Sequence, residues 1–132
     1  MIRAIAIDDE SPALQVLANF CSRTSIISLE KVFTDTPAAV KYLEEHTVDL
    51  LFLDILLPAV SGIDFYNRLP IQPLVIFTTA FSEYAIDGFN AKAVDFLLKP
   101  IQYNRFQQAI QKVIQQLNLS KFNACKTGNT EK

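Results

Sequence analysis

Short apolar runs alternate with amphipathic stretches along the whole of this chain. Residues 2–7, 26–33, 50–53, 74–78 and 94–98 are apolar with little interruption and read as strands. Between them, apolar residues recur every three or four positions, the spacing of one helix face. Leu14, Leu17, Ala18 and Cys21 form such a stripe after Ser11-Pro12; Val40, Tyr42 and Leu43 follow Thr36-Pro37. Ser or Thr before Pro predicts an N-cap followed by proline in the first turn, so Ser11 and Thr36 are the expected caps. Ser61 caps an expected short helix with Ile63, Phe65, Tyr66 and Leu69, and Ser82 a fourth helix through Phe89. A last helix is expected over 104–117, with Phe106, Ile110, Val113, Ile114 and Leu117 on one stripe.

The order is strand, helix, five times over. Strands that are apolar throughout suit a parallel sheet covered on both faces. Alternation with helices makes that sheet open and doubly wound, with right-handed crossovers: an α/β domain over residues 1–118. The remainder, 119–132, is polar without an apolar period and reads as a linker or disordered tail.

Composition narrows the function. Half of the 132 residues are apolar, enough for one core, and a net charge of −2 gives no polybasic footprint for nucleic acid or membrane. Two cysteines without a CxxC motif and one histidine, His46, exclude a Cys/His zinc site. With Gly62, Gly88 and Gly128 as the three glycines, neither a GxGxxG nor a GxxxxGK[ST] loop exists. The opening MIRAIAIDDE lacks a signal-peptide pattern, and no apolar run reaches the ~18–20 residues of a membrane span. A reduced, cytoplasmic domain is expected.

Ligands of open parallel sheets bind beyond the carboxyl ends of the strands. Those ends carry Asp8-Asp9-Glu10, Asp54, Thr78-Thr79-Ala80 and Lys99-Pro100. Carboxylates brought close repel each other until a proton or a cation neutralises them. Carboxylate oxygens beside one lysine favour Mg²⁺, which takes one or two carboxylates and keeps several waters. Such a site is ready for a phosphoryl group, with a carboxylate as nucleophile. Competing structural roles are weaker. Ser11 and Ser61 are better caps than Asp8, Asp9 or Asp54, and a carboxylate directly after Leu-Leu-Phe-Leu is costly without a task or partner. Thr79, Lys99 and Phe96, taken singly, are ordinary strand or core residues.

Asp8-Asp9, Asp54, Thr79-Ala80 and Lys99-Pro100, in that order and on those elements, resemble a two-component response-regulator receiver domain over residues 1–118. Residues 77–101, FTTAFSEYAIDGFNAKAVDFLLKPI, further resemble receivers of LytTR-type regulators. The resemblance implies a CheY-like, flavodoxin-like (βα)5 fold with strand order 2-1-3-4-5. It implies that Asp54 is the phosphoacceptor and that Asp8, Asp9, Asp54 and the Leu56 carbonyl hold Mg²⁺. It makes Thr79 and Lys99 the hydroxyl and ammonium that meet the phosphoryl group, and Phe96 the switch aromatic working with Thr79. A cis peptide before Pro100 is also implied. The domain would be no enzyme beyond its own phosphorylation and dephosphorylation. Its partners would be a sensor histidine kinase and, through the surface of the fourth helix, fifth strand and last helix, an output domain or second copy. DNA would be reached only through a C-terminal domain outside this chain, for transcription control. In the family, the positions of Leu56 and Phe81 flank the phosphoryl group. Apolar side chains there place the hydrolytic water poorly and imply a long-lived aspartyl phosphate.

Three alternatives remain at this point. A degenerate receiver would act only as an interaction module. A haloacid-dehalogenase-type phosphotransferase would need its nucleophile in a DxD pattern at the end of strand one, where DDE stands. An FMN binder of the same topology would need a phosphate cradle where this chain has an acidic loop.

Overall fold

Five strands pair in parallel in the order β2-β1-β3-β4-β5: β1 (Ile2–Ile7), β2 (Ile27–Phe33), β3 (Leu50–Asp54), β4 (Leu74–Thr79) and β5 (Ala93–Leu98). This is the expected doubly wound sheet and strand order. The computed structural model describes residues 1–81 and 93–125, with side chains to residue 118. The helix expected from Ser82 to Phe89 lies outside the described residues.

Side-chain alternation sorts the core into two layers. Ala4, Ala6, Leu50, Phe52, Ile76 and Leu97 face α1 (Ser11–Ser22) and α4 (Tyr103–Cys125). There Leu14, Leu17 and Cys21 of α1 meet Phe106, Ala109, Ile110 and Val113 of α4. Ile5, Ile7, Leu51, Leu53, Val75 and Phe77 face the opposite way. They pack with Ala39 of α2 (Thr36–Glu45) and with Phe65 and Tyr66 of α3 (Gly62–Asn67). β1 and β3 lie between neighbours on both edges, which is why Leu50–Asp54 is buried at every position.

Two caps differ from the sequence expectation. Asp35, not Thr36, caps α2: its Oδ1 accepts from Ala38 N at 3.0 Å, and Thr36 is already helical. Glu10 precedes α1 without a side-chain cap, and Ser11 is the first helical residue. In both cases the helix starts one position earlier than expected, at the Ser or Thr before Pro, and only for α2 does an acidic side chain cap it. Ser61 does cap α3, accepting from Asp64 N at 3.0 Å. The last helix also runs past 117, through the first part of the segment read as a linker, to Cys125. No described helix is long and apolar enough to cross a membrane.

Candidate functional site

Parallel strands deliver their carboxyl ends to one edge. β1 stops before Asp8, β3 stops at Asp54, and β5 stops before Lys99. Asp8 and Asp54 are 1% and 5% exposed, whereas Asp9 is exposed to solvent. Carboxylate oxygens of Asp8, Asp9 and Asp54 lie within 4.8 Å of one another. Lys99 enters from the far side: its Nζ is 2.8 Å from Asp8 Oδ2, 3.3 Å from Asp54 Oδ2 and 3.4 Å from Glu10 Oε1. The ion pair with Lys99 is the contact of the buried Asp8 Oδ2; among the described residues no further donor reaches it. Asp8 Oδ1 accepts from Glu10 N at 2.9 Å, and Asp54 Oδ1 from Leu56 N at 3.1 Å.

The charge balance is unfavourable for ionised Asp54. Burial and then the Asp8 charge push its carboxyl up to about 6, against the pull of the Leu56 N–H and Lys99. Burial draws Lys99 down, but Asp8 and Asp54 outweigh it and leave the ammonium above its ordinary range. One lysine therefore does not neutralise the cluster. An all-oxygen set of three close carboxylates that share one lysine fits a hard divalent cation held by Asp8, Asp9 and Asp54. Leu56 stands next to that set, in an isolated bridge with Ser61.

Thr79 is fully buried on β4, and Asp54 pairs with its neighbour Thr78. Its hydroxyl does not reach into the acidic cluster; Oγ1 accepts from Phe81 N at 3.0 Å. Phe96, paired with Phe77 across β4 and β5, is half-buried and stacks on that ring at 5.6 Å. The peptide bond between Lys99 and Pro100 is cis, as expected. The carboxylates and Lys99 are thus assembled, with Thr79 on the next strand and Phe96 one strand further out.

A family profile for the response regulator receiver domain matches residues 4–111. The chain belongs to this family. The receiver is 33% identical over 118 residues to the transcriptional regulatory protein BtsR of Escherichia coli, covering 88% of this chain and 49% of BtsR. It is 43% identical over 82 residues to a response regulatory protein of Vibrio cholerae, covering 60% of this chain and 31% of that protein. The receiver spans about half or less of the length of these curated relatives. Among solved structures it resembles the response regulatory domain of mrkE from Klebsiella pneumoniae, with 29% identity and a TM-score of 0.78. That match covers 89% of this chain and 99% of the mrkE domain.

Glu10, expected at the strand-one end with Asp8 and Asp9, adds a third carboxylate to Lys99. One contributor to the receiver site was not anticipated. Gly62 lets the start of α3 lie against the backbone of Asp54: a Cβ there would sit 2.1 Å from the Asp54 carbonyl oxygen. Gly62 N also donates to Ile55 O at 2.6 Å. A glycine at the start of a helix, in a chain with three glycines, was a usable hint.

Proposed function

We propose that this receiver takes a phosphoryl group on Asp54 from a sensor histidine kinase or a small phosphodonor, with Mg²⁺ bound. The observation that supports this most is the set of three close carboxylates with Lys99 inserted between Asp8 and Asp54. Asp8, Asp9, Asp54 and the Leu56 carbonyl would hold the ion. When bound, Mg²⁺ supplies charge neutralisation for the carboxylates and the incoming phosphoryl oxygens.

The protein's own groups do the rest. An Asp54 carboxylate oxygen forms the new bond to phosphorus; the bond from phosphorus to the donor breaks, and its electron pair leaves with the donor. Lys99, held at the mouth of the cluster, meets the added negative charge. Thr79 gives up its contact with Phe81 N and turns its hydroxyl toward the phosphoryl group. The space released beside Phe77 is then open to Phe96. This is a population shift between two packings, read on the surface of β5 and α4. The similarity to BtsR supports a transcription-regulating output, and residues 77–101 support a LytTR-type affiliation; self-association through the β5–α4 surface and a cytoplasmic setting belong to the same proposal.

Beryllofluoride, a phosphoryl mimic, tests the site directly. Its ¹⁹F resonance should shift to a bound position on this protein when Mg²⁺ is added. Binding without Mg²⁺, or unchanged binding by Asp54→Asn, would overturn the assignment.

A further inference from the structure

Among the described residues three carboxylates are buried: Asp8 and Asp54 in the acidic cluster, and Asp95 on β5. Asp95 lies outside the cluster and is gripped by α4. Arg105 Nη1 is 2.8 Å from Asp95 Oδ2, and Nη2 is 2.8 Å from Oδ1, a two-point fork. Lys112, two turns further along α4 on the same face, reaches Asp95 Oδ2 at 3.2 Å. Burial favours a neutral Asp95, but the bonds from Arg105, Phe96 N and Lys112 overcome it and hold the carboxyl below its ordinary range.

The same pair also holds the backbone of Phe96. Phe96 N donates to Asp95 Oδ1 at 2.8 Å, and Arg105 Nη2 donates to Phe96 O at 3.2 Å. Lys99 N bonds Thr79 O, so by the strand period of two the N–H and C=O of Phe96 point away from β4, along the sheet edge. An edge strand leaves such groups unpaired unless something covers them. Here the cover is an ion pair that joins the residue stacked on Phe77 to the first turn of α4.

We propose that the Asp95–Arg105–Lys112 cluster is a positioning device that carries a change at Phe96 from β5 into α4. An ion pair of the buried Asp95 with the partly exposed Arg105 and Lys112 adds little to stability, because solvent screens it. It is a good way to fix geometry: the guanidinium fork permits one arrangement of the Phe96 peptide relative to α4. Arg105 acts here through Phe96 and touches no reacting atom. The proposal rests on Phe96 responding to the phosphoryl site.

The test uses the whole chain with Mg²⁺ and beryllofluoride, read by backbone amide NMR at Phe96 and along residues 107–117 of α4. In the parent both regions should shift. Arg105→Gln and Arg105→Lys should bind beryllofluoride within about threefold of the parent and keep the Phe96 shift. Their α4 shifts should fall by half or more. Arg105→Lys matters most, because it keeps the charge and lacks the fork. Full α4 shifts in both variants would reduce the cluster to a static staple and overturn the proposal. If the variants bind and Phe96 does not shift in the parent, the proposal fails while the phosphoryl site stands. A parent that binds no beryllofluoride overturns the site and this proposal together.

Discussion

Lys99 reaches from the end of β5 past β4 to set its ammonium 3.3 Å from Oδ2 of Asp54. The two residues are 45 positions apart in sequence and meet because parallel strands deliver their ends to one edge. Yet the lysine is shared with Asp8 and Glu10, and Asp54 remains a carboxyl that burial and Asp8 hold at about 6.

That shift gives stability a definite pH dependence. The folded pKa of Asp54 lies above the ordinary 3.8, so the folded protein binds the proton more tightly than the unfolded chain. Ionised Asp54 therefore costs stability above about pH 6, and the cost is relieved as pH falls from 6 toward 4. Without divalent cations, Asp54→Asn should be more stable than the parent at pH 7, by about 1–3 kcal/mol. The difference should shrink toward pH 4. Urea unfolding in EDTA at several pH values measures it. A variant less stable than the parent at pH 7 would contradict the strained carboxyl.

Mg²⁺ should have the opposite effect on the pair. Binding to the folded state alone raises stability with concentration. Millimolar Mg²⁺ should raise the melting temperature of the parent and affect Asp54→Asn much less. Equal shifts in both proteins would place the ion elsewhere.

Gly62 has no room for a side chain. A Cβ would meet Asp54 O at 2.1 Å and the Asp54 carbonyl carbon at 3.0 Å, both backbone atoms that cannot swing aside. Gly62→Ala should lose about 2–4 kcal/mol of stability and weaken beryllofluoride binding, since the displaced atoms belong to the phosphoacceptor itself. Gly62→Ala with parental stability would show that α3 shifts freely.

Leu56 N bonds Asp54 and Phe81 N bonds Thr79, and their apolar side chains are 42% and 46% exposed. Neither offers a group to orient water. The double variant Leu56→Asn, Phe81→Glu should release phosphate several-fold faster than the parent in a single-turnover decay. An equal or slower decay would mean that these positions do not govern the lifetime.

Much of this was legible in the sequence because the period of the apolar pattern and the positions of the strand ends are properties of the chain alone. Asp8, Asp54 and Lys99 could be placed at strand ends from the pattern, and brought together only with the strand order that the resemblance implied. What pairs with what at side-chain range could not. The competition of Asp8, Glu10 and Asp54 for Lys99 depends on reach across the sheet edge. The engagement of Thr79 with Phe81 N depends on the turn after β4. Asp95 reads as a strand residue, and its partner Arg105 as a surface residue of a helix, until the helix is laid on the strand. Ser11 and Thr36 looked like caps because Ser/Thr-Pro is a start signal. At α2 the register shifts by one because Asp35 in front takes the cap, with its bond to Ala38 N.

The most direct test is the intact mass of the protein after incubation with phosphoramidate and Mg²⁺, with Asp54→Asn and an EDTA control alongside. One added phosphoryl group on the parent, absent from Asp54→Asn and from the EDTA sample, is the predicted result. A gain that survives either control, or no gain on the parent, would contradict Asp54 as the phosphoacceptor of a Mg²⁺-dependent site.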